Sequence, residues 1–121
     1  DQYARVEAIK AVGDIGEDSA APVLKKLLAK EQPSSIRVEA ALALAKMGKN
    51  DGLLTAYEYV KSPDISLKNQ SLNVIGAVGD KRSLQFVQEI YAAEQDPVTK
   101  GMLDFTIQRL QARLKQQEQQ K

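Results

Sequence analysis

The chain contains no cysteine and no histidine among its 121 residues. Without cysteine there is no disulfide, no thiolate nucleophile and no cysteine-ligated metal site. Without histidine the commonest general base and the commonest metal ligand are both missing. We therefore expect no catalytic centre, no metal and no cofactor, and a protein that is not an enzyme.

A strong net charge and long apolar runs are also missing. The formal net charge is +1, so no broad electrostatic field attracts nucleic acid or an anionic membrane. No apolar run approaches the roughly 18 residues that a membrane span needs, and no signal-peptide pattern opens the chain. With 43% apolar and 27% charged residues, the composition indicates a soluble folded protein. The cytoplasm is the favoured compartment.

What the sequence does contain is a repeat of about 32 residues. The tetrapeptide RVEA occurs at positions 5–8 and again at 37–40. A basic residue recurs at intervals of 32, 31 and 32 positions, as Arg5, Arg37, Lys68 and Lys100. A glycine recurs at intervals of 32 and 31, as Gly16, Gly48 and Gly79. Two residue types that keep one period predict a repeat protein.

Each repeat reads as a pair of helices. After the basic residue, apolar residues follow the i, i+3, i+4, i+7 spacing of an amphipathic helix. The glycine then suits a left-handed C-terminal cap, because it lacks a Cβ atom. The expected buried positions of the first helices are Ala8, Ala11, Val12 and Ile15, then Ala40, Ala43, Leu44 and Met47, then Ser71, Val74, Ile75 and Val78. Those of the second helices are Ala21, Leu24, Leu27 and Leu28, then Leu53, Ala56, Tyr59 and Val60, then Leu84, Val87, Ile90 and Tyr91.

These pairs predict an all-α solenoid that forms a single domain over residues 1–121. The three units cover about 3–30, 34–61 and 65–93, and a long helix follows over about 97–118. The apolar stripe of that helix is Leu103, Ile107, Leu110 and Leu114, which predicts a terminal cap. No comparable cap precedes the first helix. We therefore expect either further repeats ahead of residue 1 or self-association through the N-terminal face.

The repeat unit resembles the short HEAT-like repeat of the phycobiliprotein lyase group, R-x-x-A-A-x-A-L-x-x-x-G followed by A-x-P-x-L-x-x-x-L. The first half is matched by Arg37, Ala40, Ala41, Ala43, Leu44 and Gly48, and the second by Ala20, Pro22, Leu24 and Leu28. The resemblance reaches about residue 107 and is weakest in the third unit, where KNQS replaces RVEA and Gln85 replaces the proline. It implies an α-solenoid, a fold with many roles. One alternative it implies is a fragment or accessory subunit of a chromophore lyase.

The basic column has two architectural interpretations. In one, each long stem covers apolar surface while its charged end reaches water. In the other, the column is a structural ladder in which each cation binds acids or carbonyls of the turns between repeats. The acids of that ladder are Glu31, Asp64 and Asp96, which precede Arg37, Lys68 and Lys100 by six, four and four positions.

A stacked solenoid offers an extended concave surface lined by its second helices, so the sequence predicts a protein-interaction scaffold within a larger protein or complex. The candidate interaction residues are Lys25, Lys26, Leu54, Tyr57, Glu58, Lys61, Gln88 and Glu89. Leu54 and Tyr57 resemble a central hot spot with a charged rim. Alternatively, a small helix rotation buries both. A nucleic-acid backbone binder is another alternative, but only the first unit of this ridge is basic.

Overall fold

The computed structural model describes residues 1–120, and within this range it contains seven α-helices and no β-strand. The helices are α1 (Gln2–Ile15), α2 (Ala21–Lys26), α3 (Ser34–Lys46), α4 (Leu53–Tyr59), α5 (Ile65–Val78), α6 (Lys81–Ala93) and α7 (Pro97–Gln119). A single 3-10 turn, Asp18–Ala20, leads into α2. The predicted all-α solenoid of three helix pairs and a long terminal helix is confirmed.

The first helices of the units stack in one layer. Helix α1 packs on α3, α3 on α5, and α5 on α7. The second helices form the other layer, in which α2 packs on α3, α4 on α3 and α5, and α6 on α7. Each first helix therefore packs on the first helix of the next unit, as expected of a solenoid.

Local capping residues set several helix boundaries. The carboxylates of Asp1, Asp64, Asp80 and Asp96 accept backbone N–H groups at the starts of α1, α5, α6 and α7. Gly16 and Gly48 follow their helices with φ of 73° and 75°, in the left-handed region. The sequence predicted the same left-handed conformation for Gly79, and this prediction is wrong because Gly79 is extended. There, a Cβ atom would lie only 2.8 Å from the side chain of Ser83.

The core has two clusters of buried apolar side chains. The first lies between α1, α2 and α3 and contains Ile9, Ala21, Leu24, Ile36, Ala43 and Leu44. The second extends from α3 to α7 and contains Ala41, Ala45, Ala56, Val60, Leu72, Val74, Ile75, Val87, Leu103, Ile107 and Leu110. Helix α7 thus buries the first three residues of its predicted stripe, and Leu114 is half-buried.

The predicted buried face of α1 is wrong. Ala8, Ala11 and Ile15 are exposed, whereas Ile9 and Gly13 are buried against α3. The equivalent residues of α3 are covered because α1 lies over them, whereas no helix among residues 1–120 lies over α1 in the same way. The period of the repeat was therefore right, but periodicity did not show which described helices have a neighbour on this face.

Two second helices are shorter than the predicted units. Helix α2 ends at Lys26 rather than near residue 30, and Leu27 and Leu28 lie half-buried in the following turn. Helix α4 ends at Tyr59. In the described part of the chain, no helix is both long and apolar enough to span a membrane.

The distal part of α7 is tied to the end of α5 by Arg113. Its Nε donates to the carbonyl oxygen of Gly76 at 3.2 Å, and its Nη2 to that of Gly79 at 2.5 Å. The carbonyls at a helix C-terminus lack partners within the helix. Arg113 therefore supplies donors that α5 itself cannot.

Candidate functional site

Arg37 joins the middle unit to the turn that precedes it. Its Nε donates to the carbonyl oxygen of Leu28 at 2.9 Å, in the turn between the first two units. Its Nη1 donates to Glu58 and to the hydroxyl of Tyr59, each at 3.1 Å. The guanidinium also lies 5.6 Å from the centre of the Tyr59 ring. Arg37 is buried, and its guanidinium is hydrogen-bonded to groups within the fold, so it is not available to a partner.

The acid partners expected for the basic column are wrong. Within residues 1–120 no ion pair joins Asp64 to Lys68, Asp96 to Lys100 or Glu31 to Arg37. Asp64 and Asp96 cap helices α5 and α7 instead, because their carboxylates accept the backbone N–H groups of the next turn.

Two other cations of the column contact segments outside their own helix. Arg5 donates to the side-chain oxygen of Gln32 at 3.0 Å, and Lys100 lies 4.5 Å from the centre of the Tyr91 ring. Hydrogen bonds from Thr99, together with the weaker effect of the Lys68 charge, hold the pKa of Asp96 below its usual value. The cations therefore bind on either side of their own helix in the chain: Arg37 binds a carbonyl of the preceding turn, Arg5 contacts a later side chain, and Lys100 contacts an earlier ring.

On the second-helix surface, Leu54 is an exposed apolar residue among the predicted interaction residues. It lies in the first turn of α4 with 76% of its surface exposed. Lys25, Lys26, Gln88 and Glu89 are also exposed. Lys25 forms an ion pair with Asp51, with Nζ 3.5 Å from the carboxylate.

Tyr57 and Glu58 have structural partners. The Tyr57 hydroxyl lies 2.5 Å from the Ser83 hydroxyl, and its ring packs edge-on against Phe86 with centroids 5.0 Å apart. Placing Tyr57 on an exposed ridge was therefore wrong, because α4 is rotated so that this ring is half-buried against α6. Glu58 remains on the surface but is held by Arg37, and that hydrogen bond keeps the pKa of its carboxyl below the usual value.

A cleft of about 400 Å³ opens where α4, α6 and the start of α7 meet. Its lining is Val60, Lys61, Phe86, Glu89, Ile90, Ala93, Glu94, Thr99 and Leu103. The apolar side chains come from all three helices, and Lys61 extends over the face of Phe86 at 5.9 Å. Such a mixture of apolar lining and a few charges is typical of a binding site.

The structure brings together two predicted interaction residues, Lys61 and Glu89, in this cleft, but leaves Lys25 and Lys26 outside its lining. Sequence reasoning missed Phe86 and Ile90 as parts of a binding surface. One signal was present: the aromatic Phe86 occupies the repeat position of Val23 and Thr55, and aromatic residues are enriched at interfaces. Among the residues that the structure describes, no cluster of acidic side chains could hold a metal ion.

Comparison with known proteins supports the repeat architecture. A family model described as HEAT repeats matches residues 1–55, which contain the first unit and most of the second. Neither a curated protein nor a solved structure matches the chain significantly. The match concerns HEAT repeats in general, so the phycobiliprotein lyase type stays a prediction.

Proposed function

Because the chain is a HEAT-like repeat protein, we propose that it binds a partner protein through its second-helix surface. HEAT repeats generally serve as scaffolds for protein–protein interaction. The proposal adds where the partner binds: in the cleft between α4, α6 and α7, and on the exposed Leu54 of α4.

The main support for this proposal is the combination of apolar and charged side chains that line the cleft. Val60, Ile90 and Leu103 supply an apolar lining, while Lys61 and Glu89 supply charges of opposite sign. Interfaces combine an apolar centre with a polar rim in this way. The proposed ligand is a protein segment that inserts an apolar side chain into the cleft and presents charged residues to Lys61 and Glu89.

The same chemistry argues against a phosphate-tracking groove. Such a groove needs basic residues along its whole length, because each contacted phosphate must be neutralised. Here Lys61 shares the cleft with Glu89 and Glu94, and Lys25 is paired with Asp51. A protein segment suits this mixture better than a nucleic-acid backbone.

The test uses capture from a lysate of the source cell with matched variants. Leu54→Ser and Lys61→Glu alter the proposed surface, and Phe105→Ser and Lys115→Glu alter exposed residues of α7 elsewhere. We expect one bound protein, identified by quantitative mass spectrometry, to be lost with the first pair and kept with the second. Thermal unfolding should be unchanged in all four variants. The same set of bound proteins in every sample contradicts the proposal.

A further inference from the structure

The first helix of the chain exposes a face that the other first helices bury. We call this the receiving face, because it receives the preceding first helix of the stack. Its residues are Ile36, Ala40, Ala43 and Met47 in α3, Leu67, Ser71, Val74 and Val78 in α5, and Thr99, Leu103, Thr106 and Leu110 in α7, all of them buried or half-buried. In α1 the equivalent residues are Ala4, Ala8, Ala11 and Ile15, and all four are exposed.

The receiving face of α1 repeats the chemistry of the one on α3. Glu39, Ala40 and Ala43 of α3 have the same residue types as Glu7, Ala8 and Ala11 of α1. On α3, these residues pack closely against α1, since a Cβ atom on Gly13 would lie 2.8 Å from the Cα and Cβ atoms of Ala43. Ala43 therefore packs directly against the backbone of α1. The shared RVEA tetrapeptide carries part of this set twice, although only one copy is covered.

The helix that α3 receives has a matching presenting face. Its apolar residues are Val6 and Ile9, and Gly13 allows the close approach. Lys10 of the same helix lies close enough to Glu39 to act on the charge of its carboxylate. The two faces are therefore matched in size, in polarity and in charge.

An apolar cleft of about 260 Å³ lies beside the receiving face of α1. It is lined by Ala8, Ile9, Val12, Ala20, Val23, Leu24 and Leu27, and Val23 is 62% exposed. In the second unit the equivalent of Val23 is Thr55, which is buried. Elsewhere in the stack a second helix packs on the next first helix, as α4 does on α5 and α6 on α7. The cleft lies where such a second helix would pack on α1.

We infer that this end of the solenoid binds one further HEAT-type helical hairpin. Its first helix lies on Ala4, Ala8, Ala11 and Ile15, and its second helix fills the cleft at Val23. The chemistry of that first helix is the chemistry of the presenting face: β-branched apolar residues, a glycine at the closest approach, and a lysine or arginine opposite Glu7.

A second copy of the chain does not fit this description. The presenting face of its α1 is already packed against its own α3. At its other end, α7 has Asp104 and Gln108 at the positions of Ile9 and Gly13, and these two side chains hydrogen-bond to each other at 2.9 Å. That end therefore offers polar groups where the receiving face of α1 needs small apolar ones.

The test adds a hairpin of known presenting chemistry. Residues 1–32 are duplicated ahead of residue 1, which keeps the 32-residue spacing of the first two units. We expect the extended chain to unfold in one transition, several degrees above the 121-residue chain. Amide exchange in the original α1 should slow at least tenfold.

A variant of the original α1 separates docking from the mere addition of chain. Ala11→Arg should leave the 121-residue chain unchanged, because Ala11 is exposed, but should abolish the gain in the extended chain. Ala112→Arg, at an exposed position of α7, is the control and should preserve the gain. A gain that is absent, or that survives Ala11→Arg, overturns the inference. So does a dimer of the 121-residue chain in sedimentation that Ala11→Arg dissociates, because the face would then be occupied by a second copy.

Discussion

Arg37 holds the carboxylate of Glu58 with both terminal nitrogens, Nη1 at 3.1 Å from one oxygen and Nη2 at 3.2 Å from the other. Two parallel hydrogen bonds of this kind fix orientation as well as distance. The same guanidinium binds the Leu28 carbonyl, so one side chain connects the turn before α3 with the end of α4.

Arg37→Ala should therefore lower the free energy of unfolding by about 2–4 kcal/mol, since it removes a buried side chain and the donor of several hydrogen bonds. Glu58→Gln should cost about 1 kcal/mol or less, because Glu58 is half-exposed and solvent screens its charge. Urea titration of both variants measures the difference. Equal losses would mean that Arg37 acts only through Glu58.

The pair also predicts a pH dependence. Because Arg37 lowers the pKa of Glu58, the folded state binds this proton more weakly than the unfolded state. The stabilisation is then fully present above the ordinary glutamate pKa and is lost as the pH falls through the lowered one. The stability gap between the wild type and Glu58→Gln should close in acid. A constant gap from neutral pH to about pH 3 contradicts this assignment.

Glu39 should show the opposite behaviour. The residue is 1% exposed, and although Oε1 accepts from Gln70 at 3.2 Å, Oε2 has no hydrogen-bond partner among the described residues. Burial raises its pKa, while the charges of Lys10 and Lys46 lower it in part. Glu39→Gln should stabilise the fold at pH 7 by about 1 kcal/mol, because it removes a poorly paired buried charge.

This advantage should shrink as the pH falls through the raised pKa of Glu39, because the wild-type carboxyl then becomes neutral in the folded state. Thermal unfolding at several pH values follows the trend. An advantage that instead grows in acid would show that the carboxylate is well compensated by the two lysines.

Leu44 and Leu54 form a matched pair of leucines with opposite burial. Leu44 is fully buried in the core between α1, α2 and α3, whereas Leu54 is exposed on α4. Leu44→Asp should unfold the protein, because an unpaired carboxylate at this position costs more than about 4 kcal/mol. Leu54→Asp should leave the melting temperature within a few degrees of the wild type. Circular dichroism melts distinguish the two outcomes.

Two helical glycines predict opposite effects of a methyl group. At Gly13 it would lie 2.8 Å from Ala43, so Gly13→Ala should destabilise the junction of α1 and α3. At Gly101 of α7 nothing lies within 4 Å, so Gly101→Ala should stabilise the helix by about 0.5–1 kcal/mol. If chemical denaturation shows both variants to be more stable, α1 and α3 are not closely packed.

Helix α7 should behave as a terminal cap. Deleting residues 98–121 uncovers the third unit, because Leu103, Ile107 and Leu110 are lost from the core, and we expect aggregation in light scattering. Deleting only 115–121 should leave a stable monomer. Residues 115–120 are exposed, and their one ion pair, Glu118 with Lys81, is on the surface. A stable monomer after the longer deletion would show that α7 is an appendage.

The sequence predicted the helices and their order because the 3.6-residue period and the 32-residue repeat act together. Periodicity identifies residues that share a face, but it does not say which neighbour covers that face. This is why Ala8 and Ala11 were expected to be buried. A small rotation of α4 decides whether Tyr57 faces solvent or Phe86, and packing on α6 sets that rotation. The partners of Arg37 are 9 to 22 positions away, beyond the reach of local pattern.

The Arg113 contact implies that the two ends of the solenoid differ in cooperativity. The last turn of α1 is closed by Gly16, a residue of its own hairpin, whose N–H donates to the Val12 carbonyl. The end of α5 has the same local bond, from the Gly79 N–H to the Ile75 carbonyl, and in addition accepts hydrogen bonds from Arg113, 34 and 37 positions away in α7. Ordering the last turn of α5 and docking α7 are therefore parts of one event. We therefore expect the last turn of α5 and helix α7 to open together, as one cooperative unit.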